Sequence, residues 1–178
     1  QALSGSTKNW SVGAPPKEGP LALCLLTTLL AALALLVGAL LGYAFLIEPN
    51  RLVVREYDLK IKDWSPALNG FRIVVVSDIH GGANFIDETK IRRVVEKANA
   101  QNADLIVLLG DYVSQQPGDR SKLKMPVETV AENLKGLRAR CGVYVVLGNH
   151  DGWYSIKKVR EAFEAAGLPV LENEAATI

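Results

Sequence analysis

The stretch FRIVVVSDIHGG, residues 71–82, decides how this chain folds. Its first half is almost entirely apolar, which is typical of a parallel strand covered on both faces. Its second half places Asp78 and His80 two residues apart at the end of that strand. Side chains two apart in a strand share a face, so we expect these two groups to act together.

Strand and helix patterns alternate outward from this stretch. Apolar runs predict further strands over 105–109 and 142–147, and mixed alternation predicts one over 52–61. Helical spacing of apolar residues predicts helices over 87–100, 126–140 and 155–167. Strand–helix alternation implies right-handed crossovers, so the fold class is α/β with a largely parallel sheet and flanking helices.

A long apolar segment precedes this pattern. Residues 21–47 contain no charged side chain, and about 20 apolar residues span a bilayer core. We therefore predict a flexible tail over 1–20, a transmembrane helix over 21–47 and a single globular domain over 51–178. The net charge of +1 gives no reason to expect a nucleic-acid partner, whereas membrane lipid is an expected one.

Three predicted strands end in polar turns. These turns read SDIHGG after 76, GDYVS after 109 and GNHDG after 147. Each acid or amide alone is also an ordinary turn residue. However, the chain has only two histidines, and both follow a strand beside an aspartate. The carboxyl ends of parallel strands meet at one edge of a sheet, so we expect one shared site there.

The residue types at this edge suit a pair of divalent metal ions. Asp78 and His80 form a mixed oxygen and nitrogen set, which suits Mn, Fe, Zn or Co better than Ca. The two carboxylate oxygens of Asp111 could bridge two ions, and Asn149 offers an amide oxygen. Two such ions generate a hydroxide and stabilise in-line displacement at phosphorus. His150 could instead face the substrate as a proton donor.

The same residues bring a family resemblance. The three turns resemble, in order and placement, the first motifs of the calcineurin-like metallophosphoesterases, and the anchor resembles their membrane-anchored bacterial branch. The matching residues are Asp78-Ile79-His80, Gly110-Asp111 and Gly148-Asn149-His150-Asp151. The resemblance implies a sandwich of two mixed sheets flanked by helices, of which residues 51–178 would form the first half, incomplete at the C-terminus. It also implies hydrolysis of phosphomonoesters, phosphodiesters or lipid-linked pyrophosphates.

The resemblance also implies a role for each matching residue. Asp78 and His80 would bind one metal, Asp111 would bridge, and Asn149 would bind the second metal. His150 would assist the phosphoryl group as the catalytic residue. We assign the neighbouring Asp151 a supporting position behind the ligands.

The chain departs from the family pattern in two ways. Ser114 stands where many members carry a second acid. No histidine follows His150, although the family completes its site with a later G-H-x-H motif. Because the chain also begins with Gln1 and stops at Ile178, we expect a fragment or a truncated gene product.

Two features around the motifs are candidates for substrate binding. Arg120 and Lys122, in the segment after Asp111, could attract a phosphate or an anionic headgroup, although an ordinary solvated loop explains them as well. Trp153 and Tyr154 could line a substrate pocket, dip toward the membrane interface or pack under a loop.

The sequence thus predicts a membrane-anchored, metal-dependent phosphoesterase in a bacterial inner membrane. Its substrate would be a phosphate ester or pyrophosphate, with a lipid-linked one among the options. The alternative is a catalytically inactive, membrane-tethered binding or scaffold domain, because the later histidines are absent.

Overall fold

The structure, a computed structural model, describes residues 19–178 and divides into two compact units at Pro49–Asn50. The predicted flexible tail therefore lies almost entirely outside the described residues. The first unit contains helix α1, Pro20–Gly42, which continues as a π-helical turn, Tyr43–Ile47. A 3₁₀ turn, Glu48–Asn50, follows at the boundary between the units. Together these elements form a helical span, Pro20–Asn50, with a mean hydropathy of 2.6. Among the described residues, this span is long and apolar enough to cross a membrane.

The side chains of α1 suit an apolar environment. None of its residues is buried within the protein, and most are leucine or alanine. The hydroxyl groups of Thr27 and Thr28 donate to the carbonyl oxygen of Cys24, at 2.9 and 2.8 Å. Such bonds satisfy polar groups inside the helix itself, as a lipid environment requires.

The second unit contains the predicted α/β pattern. Its strands are β1 Ile73–Val76, β2 Leu105–Leu108, β3 Gln115–Gln116, β4 Asp119–Leu123 and β5 Val143–Val145. Its helices are α2 Glu88–Asn99, α3 Val127–Leu134, α4 Asn149–Tyr154 and α5 Ile156–Ala165. Strands β1, β2 and β5 form a parallel sheet in that order. The fold class predicted from the sequence is therefore confirmed.

Capping residues mark the ends of two helices in this unit. The Asp87 side chain accepts a hydrogen bond from the backbone N–H of Lys90 and caps α2. Ser155 caps α5 in the same way through Lys158. Helix α5 ends before Gly167, whose φ of +78° is typical of a helix C-terminus.

The helices cover one face of the parallel sheet. Strand order advances in one direction, so two right-handed crossovers place α2 and α3 on the same side. Ile106, Leu108 and Val145 are fully buried on that side. Ile73 and Val75 on the other side are 48% and 57% exposed, so the expectation that this strand is covered on both faces is wrong for the described residues.

Two local predictions differ from the structure. Residues 51–61 form neither helix nor strand, because no strand in the described part of the chain pairs with them. Residues 115–123 form the antiparallel hairpin β3–β4 rather than a loop. Its turn contains Pro117 and Gly118, and Gly118 has the positive φ, +79°, that a type II turn needs.

Candidate metal centre

The three polar turns follow β1, β2 and β5, so the parallel sheet carries them to one edge. Pairing between β1 and β2 continues into the first two turns. The backbone N–H groups of Asp78 and His80 donate to the carbonyl oxygens of Gly110 and Asp111, at 3.1 and 2.9 Å. Gly81 N–H likewise donates to Tyr112 O at 2.8 Å. The first two turns are therefore held as one backbone unit.

Asp151 ties the third turn to the second. Its side chain is fully buried, and its Oδ2 accepts from the N–H groups of Gly148 and Asp111 at 2.9 and 2.8 Å. Its Oδ1 accepts from Tyr112 N at 2.9 Å and Val113 N at 3.3 Å. Burial raises the pKa of this carboxyl, and the four backbone donors oppose that rise. Asp151 thus organises the backbone of the site and does not face into it.

Tyr112 adds a second link behind the site. Its hydroxyl donates to Val146 O at 2.8 Å and accepts from Gly110 N–H at 2.9 Å. Its ring packs on Phe163 of α5 with centroids 4.4 Å apart. Burial raises the pKa of this phenol, so it remains a neutral structural group at any physiological pH.

Three of the predicted site residues have unusual backbone conformations. Asp78, His80 and Asp111 have φ values of +54°, +46° and +59°. Non-glycine residues rarely occupy this left-handed region, and such strain concentrates at functional sites. The hydrogen bonds between the turns hold these conformations in place.

The structure brings together ligand-type atoms of His80, Asp111 and His150. One atom from each residue lies within 4.8 Å of the others. Asp78 adjoins this cluster, with its Oδ1 3.7 Å from His80 Nε2, and Ser77 Oγ donates to its Oδ2 at 2.6 Å. Asp111 Oδ1 accepts from His150 N–H at 2.8 Å. We define the metal cluster as Asp78, His80, Asp111 and His150.

The His80 ring is held in place through its Nδ1 nitrogen. Its Nδ1 lies 3.2 Å from the carbonyl oxygen of Val113. A carbonyl oxygen only accepts, so Nδ1 donates to it, and Nε2 is the ring nitrogen that faces the cluster. Metal-binding histidines commonly have this arrangement.

The remaining predicted residues lie around the cluster. Asn149 is the first residue of α4 and is exposed. The guanidinium of Arg120 lies 4.5 Å from the centre of the Trp153 ring, which in turn lies 4.5 Å from the His150 ring. Lys122 instead pairs with Asp119 at 3.3 Å. Of the two predicted cations, Arg120 is therefore the one connected to the cluster, through the Trp153 ring.

Sequence reasoning did not single out Ser77, Tyr112 or Gln115 as site residues. Each lies next to a motif in the sequence, and this position is the only sign of its role that the sequence offers. Its contacts depend on how the folded chain brings distant segments together. Gln115, in particular, contacts His150 only because the β3–β4 hairpin folds against α4.

Comparison with known proteins identifies the family. A family model described as calcineurin-like phosphoesterase matches residues 71–174. The chain is 30% identical over 158 residues to a zebrafish (Danio rerio) transmembrane protein with metallophosphoesterase domain, covering 85% of this chain and 32% of that protein. It is 32% identical over 145 residues to an uncharacterized metallophosphoesterase, YkuE, of Bacillus subtilis, covering 81% and 49%.

A third relative has a stated activity. The UDP-2,3-diacylglucosamine pyrophosphatase LpxG of Chlamydia trachomatis is 33% identical over 126 residues, which cover 71% of this chain and 35% of that protein. The chain thus spans about a third to a half of the length of these curated relatives. The family match covers all three polar turns, and the chain belongs to the calcineurin-like phosphoesterase family.

Proposed function

We propose that this chain carries the metal-binding part of a membrane-anchored phosphoesterase that hydrolyses a phosphate monoester, a phosphodiester or a pyrophosphate. The observation that carries this proposal is the metal cluster, formed by residues that follow three neighbouring parallel strands. Ligands of open parallel sheets bind at that edge. The family supplies the reaction class, and the cluster supplies the groups that such a reaction needs.

The donor set fits divalent transition metals. It combines imidazole nitrogen with carboxylate oxygen, which suits Mn, Fe, Zn or Co. We propose Asp78, His80, Asp111 and Asn149 as the residues that hold two ions. When bound, such ions supply a hydroxide nucleophile at neutral pH and neutralise charge on the phosphoryl group.

His150 is proposed as the catalytic residue. Its ring meets the His80 ring edge to face with centroids 4.7 Å apart, so it lies beside the proposed ligands, and we assign it to the substrate rather than to a metal ion. The imidazolium form would donate a proton to the leaving oxygen, and the neutral form would remain afterwards. Backbone bonding of His150 N–H to Asp111 keeps this ring at a fixed position relative to the ligands.

Arg120 is proposed to bind a second anionic group of the substrate. Its guanidinium lies over the Trp153 ring, which also contacts the His150 ring, and this contact leaves the charge of Arg120 in place. Lys122, also predicted as a substrate contact, would have to leave Asp119 to contribute. A second phosphate or a lipid headgroup would satisfy Arg120, and the pyrophosphatase named among the relatives supports a lipid-linked substrate.

We further propose a single-pass location in a bacterial inner membrane. The span Pro20–Asn50 supports the anchor, and the Bacillus and Chlamydia relatives support the bacterial setting. The domain boundaries predicted from the sequence, 21–47 for the anchor and 51–178 for the catalytic part, remain part of this proposal.

The test compares wild type with Asp111→Asn in detergent. We expect wild type to bind Mn²⁺ and hydrolyse bis-p-nitrophenyl phosphate. Asn keeps the shape but loses one anionic oxygen, so the rate should fall about 100-fold, equivalent to ~2.7 kcal/mol, together with the metal content. Rates are measured from p-nitrophenolate release and metal by elemental analysis.

Asp63→Asn is the matched control. Asp63 is an exposed turn residue, and Asn also tolerates its positive φ of +60°. This variant should keep both rate and metal content. Equal rates for wild type and Asp111→Asn, or hydrolysis by a preparation that contains no metal, would contradict the proposal.

A further inference from the structure

Gln115 contacts the predicted catalytic histidine at two points. It is the first residue of β3, and its hairpin packs against α4. Its Nε2 donates to the backbone carbonyl of His150 at 2.6 Å, and its Oε1 lies 2.9 Å from His150 Nδ1. A single side chain thus engages both the main chain and the ring of the same residue.

This pair of contacts determines which ring nitrogen carries the proton. The carbonyl oxygen of His150 only accepts, so the amide nitrogen of Gln115 must face it. The amide oxygen is then left facing the imidazole, and that oxygen also only accepts. Nδ1 of His150 must therefore donate, and the neutral ring carries its proton on Nδ1.

The rest of the ring is held from two sides. The His80 ring meets it edge to face at 83°, and the Trp153 ring lies 4.5 Å away. With Nδ1 engaged by Gln115, the nitrogen left for a substrate is Nε2. We infer that Gln115 is a positioning residue, which fixes the orientation and tautomer of His150 so that Nε2 exchanges the proton with the leaving group. This inference rests on the catalytic role proposed for His150.

A neutral amide at this place has a chemical consequence. It orients the ring without adding a negative charge to a site that already contains Asp78 and Asp111. A glutamate would keep an acceptor for Nδ1 but would lose the donor to the His150 carbonyl oxygen, whereas methionine has similar length and no strong acceptor. These two residues therefore separate the hydrogen bond from the volume of the side chain.

Imidazole NMR of the full chain in detergent tests the inference directly. The chain has only two histidines, so ¹⁵N-histidine labelling gives two ring systems, and His150→Gln identifies them. At an alkaline pH where imidazole is neutral, we expect wild-type His150 to be protonated on Nδ1. Gln115→Met should abolish this preference, and Gln115→Glu should restore it.

Two internal controls are available. His80 should stay protonated on Nδ1 in every variant, since its partner is the Val113 carbonyl, and this shows that the fold is intact. Gln116→Met changes the neighbouring side chain, which contacts Leu123 O and not His150, and it should leave both rings unchanged.

Hydrolysis provides the second readout. Protonation matters most for poor leaving groups, so Gln115→Met should lower kcat about 10-fold or more for an alkyl phosphate ester and less for a p-nitrophenyl ester. KM should change little, and Gln115→Glu should recover only part of kcat, since it keeps the acceptor for Nδ1 but loses the donor to the His150 carbonyl oxygen and adds a negative charge.

The outcomes separate the two proposals. Wild-type His150 protonated on Nε2, or an unchanged tautomer in Gln115→Met, would overturn the role of Gln115. If the tautomers are as expected but the metal-loaded protein hydrolyses no ester, the contact between Gln115 and His150 is supported and the proposed function is contradicted.

Discussion

At the scale of single residues, two glycines determine how closely the polar turns approach one another. A Cβ on Gly148 would lie 2.6 Å from the backbone nitrogen of Asp111, and one on Gly110 would lie 2.7 Å from Gly148 Cα. Both contacts are with main-chain atoms, which cannot move aside as a flexible side chain does. Glycine at both positions therefore lets Asp111 reach the third turn and accept the His150 N–H.

Gly148→Ala should consequently damage both the fold and the cluster. The added methyl group would push the second turn away from the third, at a cost of about 2 kcal/mol in the free energy of unfolding. Displacement of Asp111 should also weaken Mn²⁺ binding. Thermal unfolding and metal titration measure the two effects.

Gly152→Ala is the matched control for this prediction. Its Cβ would lie 3.8 Å from Ile156 Cγ1, which is an ordinary contact, and alanine favours the helical conformation of α4. This variant should be as stable as wild type or slightly more so. Equal Mn²⁺ affinity in Gly148→Ala and Gly152→Ala would show that close approach of the turns is not needed for metal binding.

At the scale of elements, Asp104 joins the starts of the parallel strands opposite the site. Its carboxylate accepts from the backbone N–H of Arg72 at 2.8 Å and from Arg140 Nε at 2.9 Å. These two hydrogen bonds hold the pKa of Asp104 below its usual range. The bond from the Arg72 N–H has the larger effect, and the bond from the Arg140 side chain has the second largest. The chain segments leading into β1 and β5 are thereby tied to β2 at one carboxylate.

This arrangement predicts a specific pH dependence. A carboxyl group whose pKa is lower in the folded than in the unfolded state stabilises the fold when it is ionised. This stabilisation is complete at pH values above the unfolded-state pKa of about 3.9, and it is lost as the pH falls through the folded-state pKa. Asp104→Asn should therefore be less stable than wild type near neutral pH. The difference between the two should narrow as pH falls below about 4.

Urea unfolding midpoints measured across this pH range check the prediction. Arg140→Gln removes only the second cause and keeps the Arg72 N–H, so it should reproduce part of the effect. A constant difference between wild type and Asp104→Asn at every pH would contradict the role of the ionised carboxylate.

The elements also show why some predictions from the sequence succeeded. Strands β1, β2 and β5 are apolar runs that the sequence shows directly. Ile106, Leu108 and Val145 are fully buried on one face of the sheet, and this burial fixes the register of the strands. Residues 52–61 alternate like a strand, but a strand exists only when a partner accepts its hydrogen bonds. The hairpin β3–β4 is polar, and its turn at Pro117–Gly118 was the only local signal.

At the scale of the whole molecule, sequence spacing could place the polar turns at one sheet edge but could not fix contacts between them. The positions of Asp78, His80, Asp111 and His150 after parallel strands already imply proximity. The tautomer of His150 depends on Gln115, whose position relative to α4 is set by the folded hairpin. Side-chain chemistry of this kind becomes predictable only when the backbone is known.

The apolar helix α1 of the first unit is expected to insert into a membrane. Leu30 and Leu33 lie near the middle of the apolar span, where arginine costs about 2.5–3.5 kcal/mol each. The double variant Leu30→Arg/Leu33→Arg should therefore be released from bacterial membranes by alkaline carbonate, whereas wild type stays in the pellet. Leu21→Arg is the positional control, because an arginine at the helix end reaches the interface and should leave the protein in the pellet. Retention of the double variant at the wild-type level would show that α1 does not hold this protein in the bilayer.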